Sequence, residues 1–437
     1  MSKKVAFTTL GCRYNRMESA EVAHELAQAG YQPAAEGEGP ADVVVINTCA
    51  VTARSAAKCR AAIREAAAGH PGARVVVTGC YSETSPAAVA RVEGVSLVLG
   101  NAEKFSMAQA LTMLDARQPG ATPLVLADHG PMPASLPVRP ISGMAGRTNA
   151  YLNVQSGCDE TCSFCVVRLA RGKSRSAGAQ ELVEQVKRLR DAGVKEVVLS
   201  GINIGQYQDG PVDLAELMEL ILSRTDLPRA RLSSINPNNI TGRLIDLMAA
   251  EPRFCPHLHI PLQHGSDRIL KLMRRPYTVE MYESLLNELA SRVEGIGLGA
   301  DVMTGFPGEA EEDHLATRAL IQRLPLMMLH VFSYSPRQGT EAFSLPGQVA
   351  AGVARERAAE LKSISEQKRR RFMEQYVGRK LQVLVENSRT PGGALKGFTQ
   401  NYIPVQLQGP DSLLNTMAEV IGHKASGGKL ECRLAQA

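Results

Sequence analysis

The stretch Gly157-Cys-Asp-Glu-Thr-Cys-Ser-Phe-Cys165 holds three cysteines in the spacing C-x3-C-x2-C. Three thiolates in one short loop can bind three irons of a [4Fe–4S] cluster and leave the fourth iron without a protein ligand. An open position on a metal is where a small molecule can bind and react. A zinc loop or structural cysteines are the alternative, but zinc ligands usually come as C-x2-C pairs with further partners. The stretch therefore predicts a catalytic iron–sulfur loop.

The residues before this loop, up to about residue 113, alternate apolar segments with helical patterns. Val- and Ile-rich runs are typical of buried parallel strands. We predict three such strands: Val5–Leu10, Val43–Asn47 and Val75–Gly79. Each is followed by a cysteine, namely Cys12, Cys49 or Cys80. Because parallel strands share one carboxyl edge, these thiols are predicted to converge on a second cluster with an open iron. Three buried core thiols are the alternative, and this is how we interpret the remaining cysteines, Cys59, Cys255 and Cys432.

The residues after the loop, from 147 to about 350, repeat a strand, loop and helix pattern about six times. This rhythm predicts a partial (β/α)6 barrel with its active site at the carboxyl ends of the strands. The predicted strands are Ala150–Gln155, Glu196–Ser200, Arg231–Ser234, Leu258–Pro261, Gly297–Met303 and Met328–Ser333. Polar residues that belong to this rim are Gly201, Asn203, Gln263, Ser266, Asp301 and Arg337.

Three further segments complete the chain. Residues 115–145 are rich in proline and glycine, which predicts a linker. Residues 355 to 380 form a basic helix with nine Lys or Arg against four Glu. Such a helix either exposes a solvated face or contacts phosphates. Short strands with Gly-rich turns from residue 378 onward predict a small β-barrel: Leu381–Glu386, Ala394–Phe398, Ile403–Leu407, Ala418–His423 and Lys429–Leu434.

The predicted fold is therefore α/β in four parts. They are a parallel α/β domain over 1–114, a linker over 115–145, the barrel domain over 146–375 and a small β-barrel over 376–437.

Composition favours a cytoplasmic enzyme without a membrane segment. A chain of 437 residues is too long for one core. It contains no apolar run long enough to span a bilayer, and its first residues show no signal-peptide pattern. Nine cysteines in a chain of this size are not a disulfide framework and more often bind metal or catalyse. The formal charge of +5 permits nucleic-acid binding without demanding it.

Over nearly its whole length the chain resembles the radical S-adenosylmethionine (SAM) methylthiotransferases. The C-x3-C-x2-C spacing matches the radical SAM signature, and three N-terminal cysteines precede it. The stretch Leu395-Lys-Gly397-Phe-Thr-Gln-Asn401-Tyr402-Ile-Pro-Val405 is similar to the signature of the C-terminal TRAM domain. Members of this family insert a methylthio group into an unreactive C–H bond. An aromatic C–H has no useful acidity, so a cofactor must generate the radical while the protein positions the substrate and excludes water.

The resemblance implies two [4Fe–4S] clusters and SAM as cofactors. Cys158, Cys162 and Cys165 would hold the cluster at which SAM is cleaved, and Cys12, Cys49 and Cys80 the cluster that supplies sulfur. Residues predicted to contact SAM are Phe164, Gly201, Asn203, Gln263, Ser266 and Asp301. An aromatic face beside the third cysteine suits the adenine, although simple loop packing is the alternative for Phe164.

Three branches of the family differ in their acceptor, which is isopentenyl-modified tRNA adenosine, threonylcarbamoyl-modified tRNA adenosine or a ribosomal protein aspartate. The segment Asn47-Thr-Cys49-Ala-Val-Thr52, followed by Lys58, Arg60 and Arg64, is similar to the threonylcarbamoyl branch. Departures from the family pattern are Val167-Arg168-Leu169 after the third cysteine and Arg13-Tyr14-Asn15-Arg16 after the first. The predicted reaction is methylthiolation at carbon 2 of N6-threonylcarbamoyladenosine at position 37 of tRNA.

The predicted partners are the anticodon loop of tRNA, a sulfur donor and a one-electron reductant such as flavodoxin or ferredoxin. Arg168 and Arg337 are candidates for the threonylcarbamoyl carboxylate, since arginine binds carboxylates bidentately. Lys368, Arg369 and Arg370 are candidates for tRNA phosphates. A hypothesis of another class is a non-catalytic iron–sulfur protein that only binds RNA. Production of 5′-deoxyadenosine from SAM would distinguish the two.

Overall fold

The computed structural model describes residues 3–34, 39–118, 121–127, 132–141 and 148–435. Two compact units divide the chain. The first unit comprises Met1–Ile141, Ser156–Arg175 and Ser335–Thr340, and the second comprises Ser142–Gln155, Ser176–Tyr334 and Glu341–Ala437. Parts of the predicted linker, including Pro119 and Pro131, lie outside the described residues. Across the described ranges, no helix is both long enough and apolar enough to cross a bilayer.

The first unit is built on one parallel sheet of six strands in the order β2-β1-β3-β4-β5-β6. Its strands are β1 (Lys4–Thr9), β2 (Gln32–Pro33), β3 (Val43–Thr48), β4 (Arg74–Gly79), β5 (Val95–Leu99) and β6 (Leu124–Leu126). Its helices are α1 (Arg13–Gln28), α2 (Ala53–Gly69), α3 (Cys80–Thr84), α4 (Pro86–Ala90), α5 (Met107–Asp115) and α6 (Val167–Arg171).

The sheet is covered on both faces, which explains its continuous apolar strands. Val44 and Ile46 belong to one buried cluster, whereas Val43 and Val45 belong to another. Successive side chains of a strand point to opposite faces, so a run of four apolar residues supplies both cores. The sequence prediction missed β2, β5 and β6. The last of these, Leu124–Leu126, lies in the predicted linker and pairs with β5, because its apolar residues complete the edge of the sheet.

The second unit contains the six predicted parallel strands of the partial barrel. Pairing joins β7, β9 and β12 in one sheet and β13, β14 and β15 in another. The two sheets are neighbours, since Ile235 N beyond β12 donates to the carbonyl of His259 on β13 at 3.0 Å. The strands are β7 (Asn149–Ser156), β8 (Arg175–Ser176), β9 (Glu196–Gly201), β10 (Gln208–Asp209), β11 (Val212–Asp213), β12 (Arg229–Leu232), β13 (His257–His259), β14 (Gly297–Thr304) and β15 (Met328–Ser333). The helices are α7 (Ala179–Asp191), α8 (Leu214–Arg224), α9 (Gly242–Ala250), α10 (Asp267–Leu272), α11 (Val279–Arg292), α12 (Glu311–Arg323) and α13 (Ala351–Glu374).

The last five strands close into a small barrel in the order β16-β17-β18-β20-β19, as the short strands and Gly-rich turns predict. They are β16 (Lys380–Arg389), β17 (Leu395–Thr399), β18 (Pro404–Leu407), β19 (Met417–Ser426) and β20 (Lys429–Leu434). The basic helix begins at Ala351, earlier than predicted, because its first turns pack Ala354 and Ala358 into the core.

Two buried arginines of β12 bind this C-terminal barrel. Arg229 donates to the carbonyl of Phe398 at 3.1 Å. Arg231 forms a two-point ion pair with Glu196, at 3.1 and 3.0 Å, and also donates to the carbonyl of Gln400 at 2.8 Å. The two arginines are 0% and 1% exposed. Because a buried cation is costly unless it is paired, these bonds attach the barrel firmly to the core strands of the second unit.

The motif that resembles the TRAM signature lies at the same contact. Asn401 donates to the carbonyl of Gly295 at 2.8 Å and to the hydroxyl of Tyr376 at 2.7 Å. Tyr402 has a φ of 70°, and its ring stacks on Phe398 with a centroid distance of 4.8 Å. A non-glycine residue holds this left-handed conformation only when its surroundings enforce it. Asn401 and Tyr402 therefore join the barrel to the core.

We expect Arg231→Ala to destabilise the second unit by about 3–5 kcal/mol, since it leaves the Glu196 carboxylate buried without its main partner. Thermal unfolding should shift downward, and limited proteolysis should release the C-terminal barrel. Arg243→Ala is the matched control, because Arg243 pairs with Glu219 at 2.6 Å but its side chain is 47% exposed. An exposed pair contributes about 0–1 kcal/mol. Equal effects of the two substitutions would contradict the assignment of Arg231 to the docking contact.

Candidate active site

Three cysteines of the first unit lie at the carboxyl ends of three adjacent strands. Cys12 lies between β1 and α1, Cys49 follows β3, and Cys80 is the first residue of α3 after β4. Since β1, β3 and β4 are neighbours in the sheet, the three thiols share one edge. Burial raises the pKa of the Cys49 thiol, and the charge of Arg171 opposes that shift. Thiol donors on strands about 4.8 Å apart suit a multi-iron cluster, in which each thiolate binds a different iron.

The other three cysteines stand in the loop between β7 and α6, and all are partly exposed: Cys158, Cys162 and Cys165. Cys158 N donates to the carbonyl of Gly172 at 3.1 Å, and Cys165 N to that of Cys162 at 3.1 Å. Gly157 has a φ of 76°, and a Cβ there would lie 1.8 Å from the carbonyl oxygen of Lys173. Only glycine fits this position. The loop is thus anchored by its backbone while its thiols stay accessible to a cluster.

Phe164 lies within this loop and is partly exposed, so its contact with the adenine of SAM stays a prediction. The three cysteines outside the triads are buried: Cys59, Cys255 and Cys432. Cys59 contacts the backbone N of Cys49 at 3.4 Å. Burial raises the pKa of the Cys59 thiol to about 11, as expected for a structural thiol.

A cavity of about 910 Å³ lies within the first unit, and residues that adjoin cysteines of both triads in sequence line it. Val166, which directly follows Cys165, and Tyr81, which directly follows Cys80, both line it. The first turn of α2, just beyond the loop of Cys49, lines it as well. Small-molecule sites typically have volumes of about 300–1,000 Å³. The cavity is therefore large enough for a modified nucleoside.

Three arginines from distant parts of the chain line this cavity: Arg60, Arg168 and Arg337. Arg60 donates to the hydroxyl of Tyr81 at 3.1 Å, which orients its guanidinium. Arg168 is exposed, and the other two are half-buried. The sequence suggested Arg168 and Arg337 as partners for one carboxylate, and the fold brings both to one cavity. It adds Arg60, which the sequence had marked only through its branch-like spacing after Cys49.

The predicted rim residues Gly201 and Asn203 lie next to Gln155 in the second unit. Asn203 N donates to Gln155 Oε1 at 2.9 Å. A Cβ at Gly201 would lie 2.9 Å from the same oxygen. The Gln155 side chain thus occupies the space beside Gly201, which we had expected a ligand to approach. The contacts of Gly201 and Asn203 with SAM stay predictions.

Gln263 and Ser266, both predicted to contact SAM, differ in their backbone conformation and hydrogen bonds. Gln263 has a φ of 64°, and its backbone N donates to the carbonyl of Asp301 at 2.9 Å. Such a strained residue held at a strand end is a candidate for ligand contact. The Ser266 hydroxyl instead donates to Asp313 at 2.7 Å, at the start of α10. That bond joins two helix ends, which weakens the case for Ser266 as a SAM contact.

Asp301 lies within β14, between two histidines that the sequence analysis did not assign. His259 Nε2 and His330 Nδ1 lie 3.0 and 3.4 Å from Asp301 Oδ1. Burial raises the pKa of Asp301, but both histidines outweigh it and hold that pKa well below its usual range. Two imidazoles and one carboxylate are a donor set for a transition metal. Here each imidazole is already hydrogen-bonded to the carboxylate, which accounts for the arrangement without an ion.

Lys368 was predicted to contact tRNA phosphates, but its ammonium group is bound within the protein and does not extend into solvent. Its ammonium donates to the carbonyls of Gln322 and Leu324, at 3.1 and 2.8 Å, where α12 ends. Burial, with help from Arg371, lowers the pKa of Lys368. Cations satisfy the last carbonyls of a helix in this way. Arg370 is exposed and pairs with Glu374 at 2.8 Å, so Arg370 remains available for phosphate contact.

A buried ion pair beside the cysteines also escaped the sequence analysis. Arg171, the last residue of α6, donates to both carboxylate oxygens of Glu18, at 2.8 and 2.9 Å. Both side chains are buried. The available signal was the spacing of Asn15 and Glu18, which stand three residues apart and therefore lie on one face of α1.

Two family models match the chain, one described as Uncharacterized protein family UPF0004 over residues 4–100 and one as Radical SAM superfamily over residues 152–321. The chain is 35% identical to threonylcarbamoyladenosine tRNA methylthiotransferase MtaB of Bacillus subtilis (strain 168), over 95% of this chain and 93% of that protein. It is 34% identical to tRNA-2-methylthio-N(6)-dimethylallyladenosine synthase of Corynebacterium urealyticum, over 87% of this chain and 72% of that protein.

The fold is similar to a solved structure of the radical S-adenosylmethionine methyltransferase TsrM from Kitasatospora setae, which has cobalamin and a [4Fe–4S] cluster bound. The TM-score is 0.60, and the match covers 78% of this chain and 77% of that one. At 18% sequence identity this likeness concerns the fold alone.

Proposed function

The chain belongs to the radical SAM methylthiotransferase family, and we propose that it methylthiolates N6-threonylcarbamoyladenosine at position 37 of tRNA, on carbon 2 of the base. The observation that carries the choice of substrate is the cavity with Arg60, Arg168 and Arg337. A threonylcarbamoyl group ends in a carboxylate, which arginines bind in bidentate geometry. An isopentenyl group is a hydrocarbon and offers these cations no partner, so burying them against it would be costly.

The cofactors of this family are SAM and [4Fe–4S] clusters, and six of the seven cysteines of the first unit fit them. We assign Cys158, Cys162 and Cys165 to the cluster at which SAM is cleaved, and Cys12, Cys49 and Cys80 to the cluster that supplies sulfur. When bound, these groups supply the electron that cleaves SAM and the methylthio group that replaces the hydrogen. A role for the cavity in positioning the substrate is supported by Val166 and Tyr81, which line it and directly follow Cys165 and Cys80 in sequence.

The target adenosine has to leave the base stack of the anticodon loop to reach this cavity, as enzymes acting on bases require. Unstacked loop bases are read by edge contacts, whereas phosphates supply salt-dependent affinity. A tRNA substrate places the reaction in the cytoplasm. The proposal also includes a sulfur donor and a one-electron reductant such as flavodoxin or ferredoxin, because the net reaction consumes both sulfur and electrons.

We expect Arg337→Ala and Arg168→Ala each to lower kcat/KM for threonylcarbamoyl-modified tRNA by about 10- to 100-fold, the effect of losing one charge-assisted hydrogen bond. The loss should fall mainly on KM, while 5′-deoxyadenosine production without tRNA stays at the wild-type rate. Steady-state kinetics with purified tRNA measures both quantities.

Arg54→Ala is the matched control, since Arg54 lies on α2 like Arg60 but is exposed and does not line the cavity. The variants should discriminate less than the wild type between tRNA with the threonylcarbamoyl group and tRNA without it. If the variants distinguish the two tRNAs as well as the wild type does, Arg168 and Arg337 do not recognise the carboxylate.

Charge reversal at Arg369 and Arg370 is expected to raise the tRNA dissociation constant and to flatten its dependence on salt, because each lost phosphate contact reduces counterion release. Lys368 is left intact in this test, since its bonds to Gln322 and Leu324 hold α12 in place. SAM cleavage should not change. Wild-type affinity in the double variant would show that this helix has only a solvated face and would leave RNA binding to the C-terminal barrel.

The function itself is tested by mass spectrometry of tRNA nucleosides from cells with and without the gene. Loss of the methylthio form of threonylcarbamoyladenosine, with isopentenyl nucleosides unchanged, is the expected result. Loss of the methylthio isopentenyl nucleoside instead would assign the chain to the other tRNA branch. Unchanged nucleosides with an altered ribosomal protein mass would assign it to the aspartate branch.

A further inference from the structure

The buried pair of Arg171 and Glu18 is part of a larger charged network in the first unit. Lys104 approaches the same carboxylate, with its Nζ 2.8 Å from Glu18 Oε2. The side chains of Arg171, Glu18 and Lys104 are only 3%, 6% and 0% exposed. Burial raises the pKa of Glu18, but the two cations outweigh it and lower that pKa to about 2. Burial lowers the pKa of Lys104, and the charge of Glu18 opposes that shift. When Lys104 is protonated, one carboxylate faces two cations and compensates only one positive charge.

Asn15 connects this network to the N-terminal cysteines. Its Oδ1 accepts from Arg171 at 2.9 Å and lies 3.7 Å from the thiol of Cys12. Its Nδ2 donates to the carbonyls of Leu10 and Thr48, both at 2.9 Å. Leu10 lies in the loop that carries Cys12, and Thr48 is the last residue of β3, directly before Cys49. Asn15 therefore links the backbone segments next to Cys12 and Cys49 and also accepts a hydrogen bond from the Arg171 guanidinium.

The other neighbouring side chains do not neutralise the positive charge of Arg171. Its guanidinium carbon lies 4.3 Å from the centre of the Tyr14 ring, which favours a cation. Glu21 is the next carboxyl on α1, and burial raises its pKa to about 8 despite Arg139, so it stays neutral near pH 7. Arg171 itself remains protonated at any accessible pH. Besides Glu18, the sulfur of Cys80 interacts with the charge of Arg171.

We propose that Arg171, held by Asn15 and Glu18, is a positioning residue that stabilises the reduced form of the cluster bound by Cys12, Cys49 and Cys80. The inference rests on the proposed function, which assigns a cluster to these cysteines. Reduction adds one negative charge to a group that already carries three thiolates. Net charge and hydrogen bonding near the sulfurs set the potential of such clusters, and a buried cation favours the more negative state.

Arg171 also belongs to the segment that anchors the second triad. Its neighbour Gly172 accepts the backbone N–H of Cys158, at 3.1 Å. The same short helix supplies Arg168 to the cavity. One segment therefore joins the loop of the SAM-cleaving triad to the charge environment of the sulfur-supplying triad.

The test is a redox titration followed by electron paramagnetic resonance, in the full chain carrying Cys158→Ala, Cys162→Ala and Cys165→Ala, so that one cluster gives the signal. Arg171→Gln should lower the midpoint potential, and Glu18→Gln should raise it. For each, the reduced-to-oxidised ratio at a fixed potential should change by about tenfold, which corresponds to about 59 mV for one electron. Arg171→Lys should shift less than Arg171→Gln because it keeps the charge.

Arg74→Gln is the matched control, since Arg74 starts the strand that ends before Cys80 and pairs at the far end with Asp115. Opposite shifts for Arg171→Gln and Glu18→Gln support the inference, because general loosening of the fold would move both the same way. Unchanged midpoints at wild-type iron content overturn it. If the Arg171→Gln variant loses its iron, the Glu18→Gln variant tests the inference alone: a raised midpoint potential supports it, and an unchanged or lowered one overturns it. Absence of any reducible cluster in the parent chain would instead contradict the assignment of Cys12, Cys49 and Cys80.

Discussion

Replacing Cys158, Cys162 and Cys165 with alanine is expected to abolish SAM cleavage, the largest effect we predict for this protein. The variant keeps the N-terminal triad, so iron content after anaerobic reconstitution should fall from about eight to about four irons per chain. The thiols are only partly buried and their loop is held by backbone bonds, so the fold should survive. Production of 5′-deoxyadenosine under reducing conditions measures the loss.

Cys432→Ala serves as the control for this experiment, because Cys432 is buried within strand β20 of the C-terminal barrel and belongs to neither triad. It should keep all of its iron and its SAM cleavage. A wild-type protein that saturates at about four irons would contradict the two-cluster assignment outright.

Replacing Cys12, Cys49 and Cys80 with alanine is expected to separate SAM cleavage, which should continue, from methylthio transfer, which should stop. Iron should again fall to about four per chain, but SAM cleavage should continue because the loop of Cys158 is intact. Methylthio transfer to tRNA should disappear, since no sulfur-supplying cluster is present. Parallel assays of 5′-deoxyadenosine and of methylthiolated nucleoside distinguish this pattern from simple misfolding, which would remove both activities. Wild-type methylthiolation in this variant would show that sulfur comes from elsewhere.

Several features of the fold and site follow directly from local sequence patterns. The apolar runs at Val43 and Val75 predict parallel strands, and the cysteine after each strand predicts which edge carries the site. The spacing of Cys158, Cys162 and Cys165 predicts an iron–sulfur loop because the proposed ligands are close in sequence. Alternating short strands likewise predict the C-terminal barrel, whose pairings are between neighbours along the chain except for β16 with β19 and β18 with β20.

Other features depend on contacts between residues far apart in sequence, and no local pattern contains them. Strand β6 forms inside a proline-rich segment because the edge of the sheet offers it a partner. Arg229 and Arg231 are buried in a strand because the C-terminal barrel supplies the carbonyls that they bind. Those carbonyls lie about 170 residues later in the chain. Lys368 belongs to a basic run, yet the end of α12 takes up its charge.

The sequence by itself therefore determined the family, which depends on residue types in recognisable motifs. It also predicted the two cysteine triads, from one short spacing and from the cysteine that follows each of three strands. The tertiary structure alone decided that Arg60, Arg168 and Arg337 line one cavity and that Arg171 reaches Glu18 and Asn15. The physical reason is that a guanidinium finds its partner through the packing of whole strands and helices. Its environment is set by the charges and carbonyls that the fold brings to it, and these lie more than a hundred residues away along the chain.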